Sequence, residues 1–184
     1  LSALSEGLDA LAADNGALRA ELDQELARQR TIDGLLKDAA LQETRLETYV
    51  NTVQGLVDAG GCDSGCGVAA VQARLDTLHA DHVDQKDISQ GRLARLAEDA
   101  AQLTEAGHPA AATKFESQAG FAQRLAAVDT AAGDFTTRLT ADLDREQRLV
   151  ATNKAFVAAS NKLDVWMANV EADVLSDDAY GPGN

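Results

Sequence analysis

The chain has 184 residues, enough for one large domain or two small ones with a real core. Its 30 acidic residues outnumber 16 basic ones, and the resulting net charge of −14 makes nucleic acid and anionic membrane poor partners, since both demand clustered Lys and Arg. Aromatic residues make up 4% and prolines number two, which favours helices over a sandwich, a barrel or a doubly wound sheet.

From the N-terminus, apolar residues fall at Leu4, Leu8, Leu11, Leu18, Leu22, Leu26 and Ile32, mostly three, four or seven apart. The stripe continues through Leu36, Leu46, Val50, Val53 and Val57 without a proline. This spacing predicts one helix of about 57 residues, roughly 85 Å long at 1.5 Å per residue. Gly7, Gly16 and Gly34 each weaken it by up to about 1 kcal/mol. The glycine-rich stretch GGCDSGCG then ends it.

A second helix is expected from Val68 to Glu105, with Val71, Leu75, Leu78, Val83, Leu93, Leu96 and Leu103 as its apolar stripe. In AGHPAA, Gly107 is a stop signal and Pro109 a first-turn residue. A third helix starts near Ala110 and carries Phe115, Phe121, Leu125, Val128, Phe135, Leu139 and Leu143. Leu149, Phe156, Leu163 and Val170 extend it at heptad spacing as far as the turn-rich SDDAYGPGN. So long a pattern reads as coiled coil or helical repeat.

Shifting the chain by 117 residues against itself pairs Leu8 with Leu125, Leu11 with Val128, Leu18 with Phe135 and Leu22 with Leu139. The register holds without a gap through Arg28 on Arg145, Ile32 on Leu149, Leu46 on Leu163, Glu47 on Asp164, Tyr49 on Trp166 and Val53 on Val170. Shared heptads align by chance, but matching charges and a Tyr/Trp pair are harder to obtain that way. The expectation is therefore an array of three-helix units, each passing its third helix into the first helix of the next. Residues 1–24 would end one unit, 25–142 would form a complete one (helices 25–57, 68–105 and 110–142), and 143–184 would open a third.

Cys62, Cys66, His79 and His82 are spaced C-x3-C-x12-H-x2-H, close to a zinc finger. A finger needs a β-hairpin between its cysteines and its helix, and the helical pattern before Cys62 leaves no room for one. An ordinary exposed loop is expected, with no metal and no cofactor. Two cysteines are also too few for a disulfide framework, which fits a reducing cytoplasm. His79 and His82 are expected on or beside the solvent face. His108 is expected as a turn residue, and Tyr49 and Trp166 as core anchors. The acidic run ADHVDQKD lacks the residue order of a calcium-binding loop and reads as a solvated face. No nucleophile stands beside a base, so no catalytic residue is assigned. No apolar run reaches 18 residues and LSALSEGLDA is not a signal peptide, so no membrane insertion is expected; the missing initiator Met reads as part of a longer chain.

LTEAGHPAAATKF resembles the turn between the second and third helices of spectrin repeats, which implies that the His108 imidazole caps helix ends, and NKAFVAASNKLDVWMANVEADVLSDDAYG resembles the first helix of one. Within that stretch AFVAASNKLDVWM is similar to the α-actinin family. Two positions depart from the pattern: Leu125 stands where third helices commonly carry Trp, and Tyr49 where first helices do. The resemblance implies an all-α fold, a spectrin-like three-helix left-handed coiled-coil bundle with helices continuous between repeats. It implies a non-enzymatic, cytoplasmic rod segment of the cytoskeleton in an actin cross-linker, pairing as an antiparallel homodimer. Actin would be bound by calponin-homology domains outside this sequence. The expected core and linker residues are Ile32, Leu36, Tyr49, Val53, Leu125, Phe135, Leu139, Leu149, Trp166 and Val170. Two other readings stay open. One is a spectrin- or plakin-type scaffold that docks other proteins; the other is an unrelated microbial helical module, whose third helix would fold back near residue 142.

Overall fold

In the computed structural model, which describes residues 2–61 and 65–176, every extended element is a helix. Helix α1 covers Ser2–Asp58; α2 covers Val68–Leu78; a π-turn, His79–Val83, joins it to α3, Asp84–Glu105; and α4 covers Ala110–Ser176. No strand occurs among the described residues. The protein is an all-α helical bundle.

Its helix ends are set by identifiable chemistry. Gly60 follows α1 in the left-handed region at φ 75°, which costs a glycine nothing, and its amide donates to Val57 O at 3.1 Å. Gly107 closes α3 in the same way at φ 65°. There the His108 amide reaches Leu103 O and the Gly107 amide reaches Thr104 O, each at 2.9 Å, a Schellman arrangement that satisfies carbonyls the helix would leave bare. His108 then caps the next helix: its Nδ1 accepts from the Ala110 amide at 3.3 Å, with Pro109 in the first turn. The expected capping role of His108 is what the side chain performs.

Two compact units divide the chain, one of residues up to Gly60 with Thr77–Asp134, the other of Gly61–Asp76 with residues from Phe135 onward. In the first, α1 buries Ile32, Leu35, Ala39, Leu46, Tyr49, Val50 and Val53, the three-and-four spacing of a helix seam. Against them lie Leu96, Ala100 and Leu103 of α3, with Ala111, Phe121, Leu125, Val128 and Ala132 of α4. Ile32, Leu35, Leu103 and Ala111 form one cluster, with Leu36 and Ala106 packed on it. The α1–α4 edge is laced by Glu43–Lys114 at 2.7 Å and by the Glu47–Arg124 pair. In the second unit Val71, Phe135 and Leu139 are buried.

Residues 6–31 of α1 and 147–174 of α4 are almost wholly exposed, apolar positions included. Leu8, Leu22, Phe156 and Leu163 are 66, 61, 71 and 54% accessible.

Candidate functional site: a polar layer at the π-turn

The seam of the second helix is where charge and shape concentrate. Continuing the steps of three and four from Leu75 and Leu78 reaches positions 82, 85, 89, 92, 96, 99 and 103. Between Leu78 and Leu96 every one of those seats is polar: His82, Gln85, Ser89 and Arg92. His82 and Ser89 are buried, Gln85 and Arg92 half-buried. The expectation that His82 lies on or beside the solvent face is therefore overturned, and so is the seam position given to Val83, which is 53% exposed. An apolar residue beside a polar one drew the stripe one place too far along. His79 does face solvent.

The backbone changes there as well. The Asp84 amide bonds to His79 O, five residues back, which defines the single π-turn. Such turns widen a helix locally and occur often at functional positions. In this one, His82 reaches both other helices. Its Nδ1 accepts the Tyr49 hydroxyl of α1 at 2.8 Å, and its Nε2 lies 3.3 Å from Asp129 Oδ1 of α4. The neutral imidazole with its proton on Nε2 satisfies both partners at once. Lys86 Nζ closes on the same Asp129 oxygen at 2.6 Å.

Each titration is displaced accordingly. Burial pushes the His82 imidazole below its ordinary value, outweighing the Asp129 carboxylate that favours its charged form. Burial also raises the Tyr49 phenol, and Asp129 raises it further. Asp129 itself is held below the usual carboxylate range, first by the hydrogen bond from Lys86. The layer is thus a neutral His between a phenol and an ion pair, a clasp across three helices.

Two turns beyond the half-buried Arg92, Asp99 is fully buried with neither carboxylate oxygen hydrogen-bonded. Its neighbour Arg95 lies 3.4 Å away while donating to Asp38 of α1 at 3.0 Å. Burial raises the Asp99 carboxyl above its ordinary value. Apolar periodicity does not mark Asp99 or Ser89, because both are polar residues at seam seats.

The second unit holds its own carboxylate. Glu146, 3% exposed, accepts from the Gly65 amide at 2.9 Å and the Gly67 amide at 3.3 Å. Both glycines sit at φ 89°, and that left-handed backbone is what turns their two amides onto one carboxylate. Arg74 secures the same loop by donating to Gly61 O at 2.9 Å. The glycines of GGCDSGCG thus have a structural purpose. Cys66 is exposed, and Cys62 lies outside the described residues. Among the described residues no group of His, Cys, Asp and Glu has the grouping of a metal site.

Of the expected core and linker residues, Ile32, Tyr49, Val53, Leu125, Phe135 and Leu139 are buried and Leu36 is half-buried. Leu149, Trp166 and Val170 are 50, 60 and 38% exposed, on the stretch of α4 that no described residue covers. Tyr49 alone among the ten belongs to the polar layer.

Comparison with known proteins gives one finding of weight. The chain is 28% identical over 152 residues to alpha-actinin A of Dictyostelium discoideum, a match covering 82% of this chain and 17% of that protein. The chain therefore spans about a sixth of that relative's length. No family model matches the sequence, and no solved structure matches it. No described helix is long and apolar enough to cross a membrane.

Proposed function

We propose that this chain is a rod segment of an α-actinin-like actin cross-linker, acting as spacer and dimerisation platform in the cytoskeleton. The observation that carries the reading is α4 itself. It continues from the buried seam Phe121–Leu139 into an exposed stripe, Leu149, Phe156, Leu163 and Val170, at unbroken heptad spacing. In the 117-residue register that stripe is the counterpart of the α1 seam, so residues 143–174 read as the opening helix of a following repeat, with 25–142 the complete one and 1–24 the end of a preceding one. The similarity to alpha-actinin A supports the same reading.

A microbial module with its third helix folded back near residue 142 fits less well, because α4 is helical throughout Ala110–Ser176. In the rod reading the function is mechanical: helices that pass between units resist bending, heptad packing fixes length, and antiparallel pairing sets the separation of actin-binding ends outside this sequence. Leu149, Trp166 and Val170 are then core seats awaiting neighbours.

Sedimentation combined with emission from the single Trp tests this. At tens of micromolar we expect a dimer, with the Trp166 emission shifting to the blue as the dimer forms. A strict monomer with solvent-like emission at all concentrations would count against the dimerisation role.

A further inference from the structure

The polar seam leaves an opening. On the side of α1 and α3 a surface groove of about 280 Å³ is lined by Arg45, Thr48, Tyr49, Thr52, Asp81, Gln85 and Arg92. From this groove we propose a site that nothing above assigns: a seat for an anionic side chain, carboxylate or phosphoryl, of an acidic partner polypeptide.

Four observations meet there. First, Gln85 and Arg92 occupy seats that heptad packing ordinarily fills with leucine, and both are only half-buried, so the seam is open where it is most polar. Second, no carboxylate among the described residues lies within 4 Å of the Arg45 or Arg92 guanidinium, although Arg45 is near enough to Asp38 to help lower its carboxyl. Both guanidiniums line the same groove. Each offers a planar fork of donors suited to two oxygens of an anion. Third, the Gln85 amide adds a neutral donor. Thr48 and Thr52 stand one turn apart on the opposite wall, the Thr48 hydroxyl already donating to Thr44 O at 2.8 Å. Fourth, the floor is fixed: Tyr49 is 8% exposed and its hydroxyl is held by His82, so the groove is formed before any ligand arrives.

Asp81 lines the same groove and opposes an anion, but two positive charges against one leave it cationic. The net acidity of the chain disfavours acidic polypeptides over most of its surface, and two guanidiniums in one preformed groove give docking a defined position. The inference stands independently of the rod reading, since it concerns residues of the complete bundle alone.

The test uses the whole chain and three fluorescein-labelled peptides of one length: Glu-rich, phosphoserine-containing, and a neutral Gln/Ser control. Anisotropy should rise saturably with one or both anionic peptides and not with the neutral one; which of the two binds identifies the source of the anion. Arg45→Gln combined with Arg92→Gln should weaken binding at least tenfold. The same change of charge outside the groove, Arg19→Gln with Arg30→Gln, should weaken it less than twofold. Independently of any variant, amide resonances of Thr48 and Gln85 in the wild-type chain should shift on titration. Failure of both anionic peptides to bind at millimolar concentration, equal loss in the two double variants, or shifts confined to other residues would overturn the proposal.

Discussion

Residues 32–57 and 149–174 carry one pattern 117 residues apart, and the protein treats them oppositely. Leu46 is fully buried and Leu163 is 54% exposed; Tyr49 is 8% exposed and Trp166 60%. Both segments are helical, so the spacing of apolar residues suffices for the helix. Burial needs partners. Segment 32–57 has them in α3 and in residues 121–132 of α4, and no described residue covers 149–174. Helical periodicity is a property of one segment of chain, whereas a core is a property of several.

Substitutions at matched positions put this difference to work. The largest effect is expected at Leu139, fully buried, whose counterpart is Leu22, 61% exposed. Leu139→Pro breaks the helix, at about 3 kcal/mol or more, and removes a core leucine worth a further 2 to 5 kcal/mol or so. Leu22→Pro interrupts α1 where nothing described packs on it, so the melting temperature should fall far less. Similar falls for the two would break the comparison.

Next in size is the pair Leu46→Ala and Leu163→Ala. The first should cost about 2 to 5 kcal/mol in urea unfolding and the second no more than about 0.5 kcal/mol. Tyr49→Phe should follow, at about 1 to 3 kcal/mol, since it leaves Nδ1 of the buried His82 without its donor. Trp166→Phe, at the equivalent seat, should leave the melting temperature unchanged in dilute solution.

The smallest effect is pH-dependent. The folded His82 titrates below its ordinary value of 6.5 because burial disfavours the imidazolium. Its contribution is therefore complete above pH 6.5 and is lost as the pH falls from there through the folded value. Tyr49 from α1, Lys86 from α3 and Asp129 from α4 face it; burial raises the Tyr49 phenol and the hydrogen bond from Lys86 lowers the Asp129 carboxyl, so both move away from the pH at which His82 titrates. Melting temperatures should decline on acidification from pH 7.5, and His82→Asn should flatten that decline while His79→Asn, on the exposed imidazole, should not. Equal slopes in the two variants would remove His82 from the account.

How far the sequence could be read follows the same line. Helix bounds were legible because Gly60, Gly107 and His108–Pro109 carry their backbone chemistry locally. The polar layer was not. His82, Ser89 and Asp99 sit at seam positions, and only counting heptads through polar residues finds them. The π-turn left no local mark, since HADHV contains neither glycine nor proline. Glu146 stayed hidden for another reason: its partners, Gly65 and Gly67, are about 80 residues away in the chain, and nothing in its own neighbourhood announces them.

Amide hydrogen exchange on the dilute chain tests the central contrast most directly. Residues 36–53 and their counterparts 153–170 are both helical, so any difference in protection reports packing and not hydrogen bonding alone. Amides of 36–53 should exchange at least about a hundredfold more slowly than those of 153–170, with Tyr49 among the most protected and Trp166 among the least. Equal protection of the two segments would contradict this.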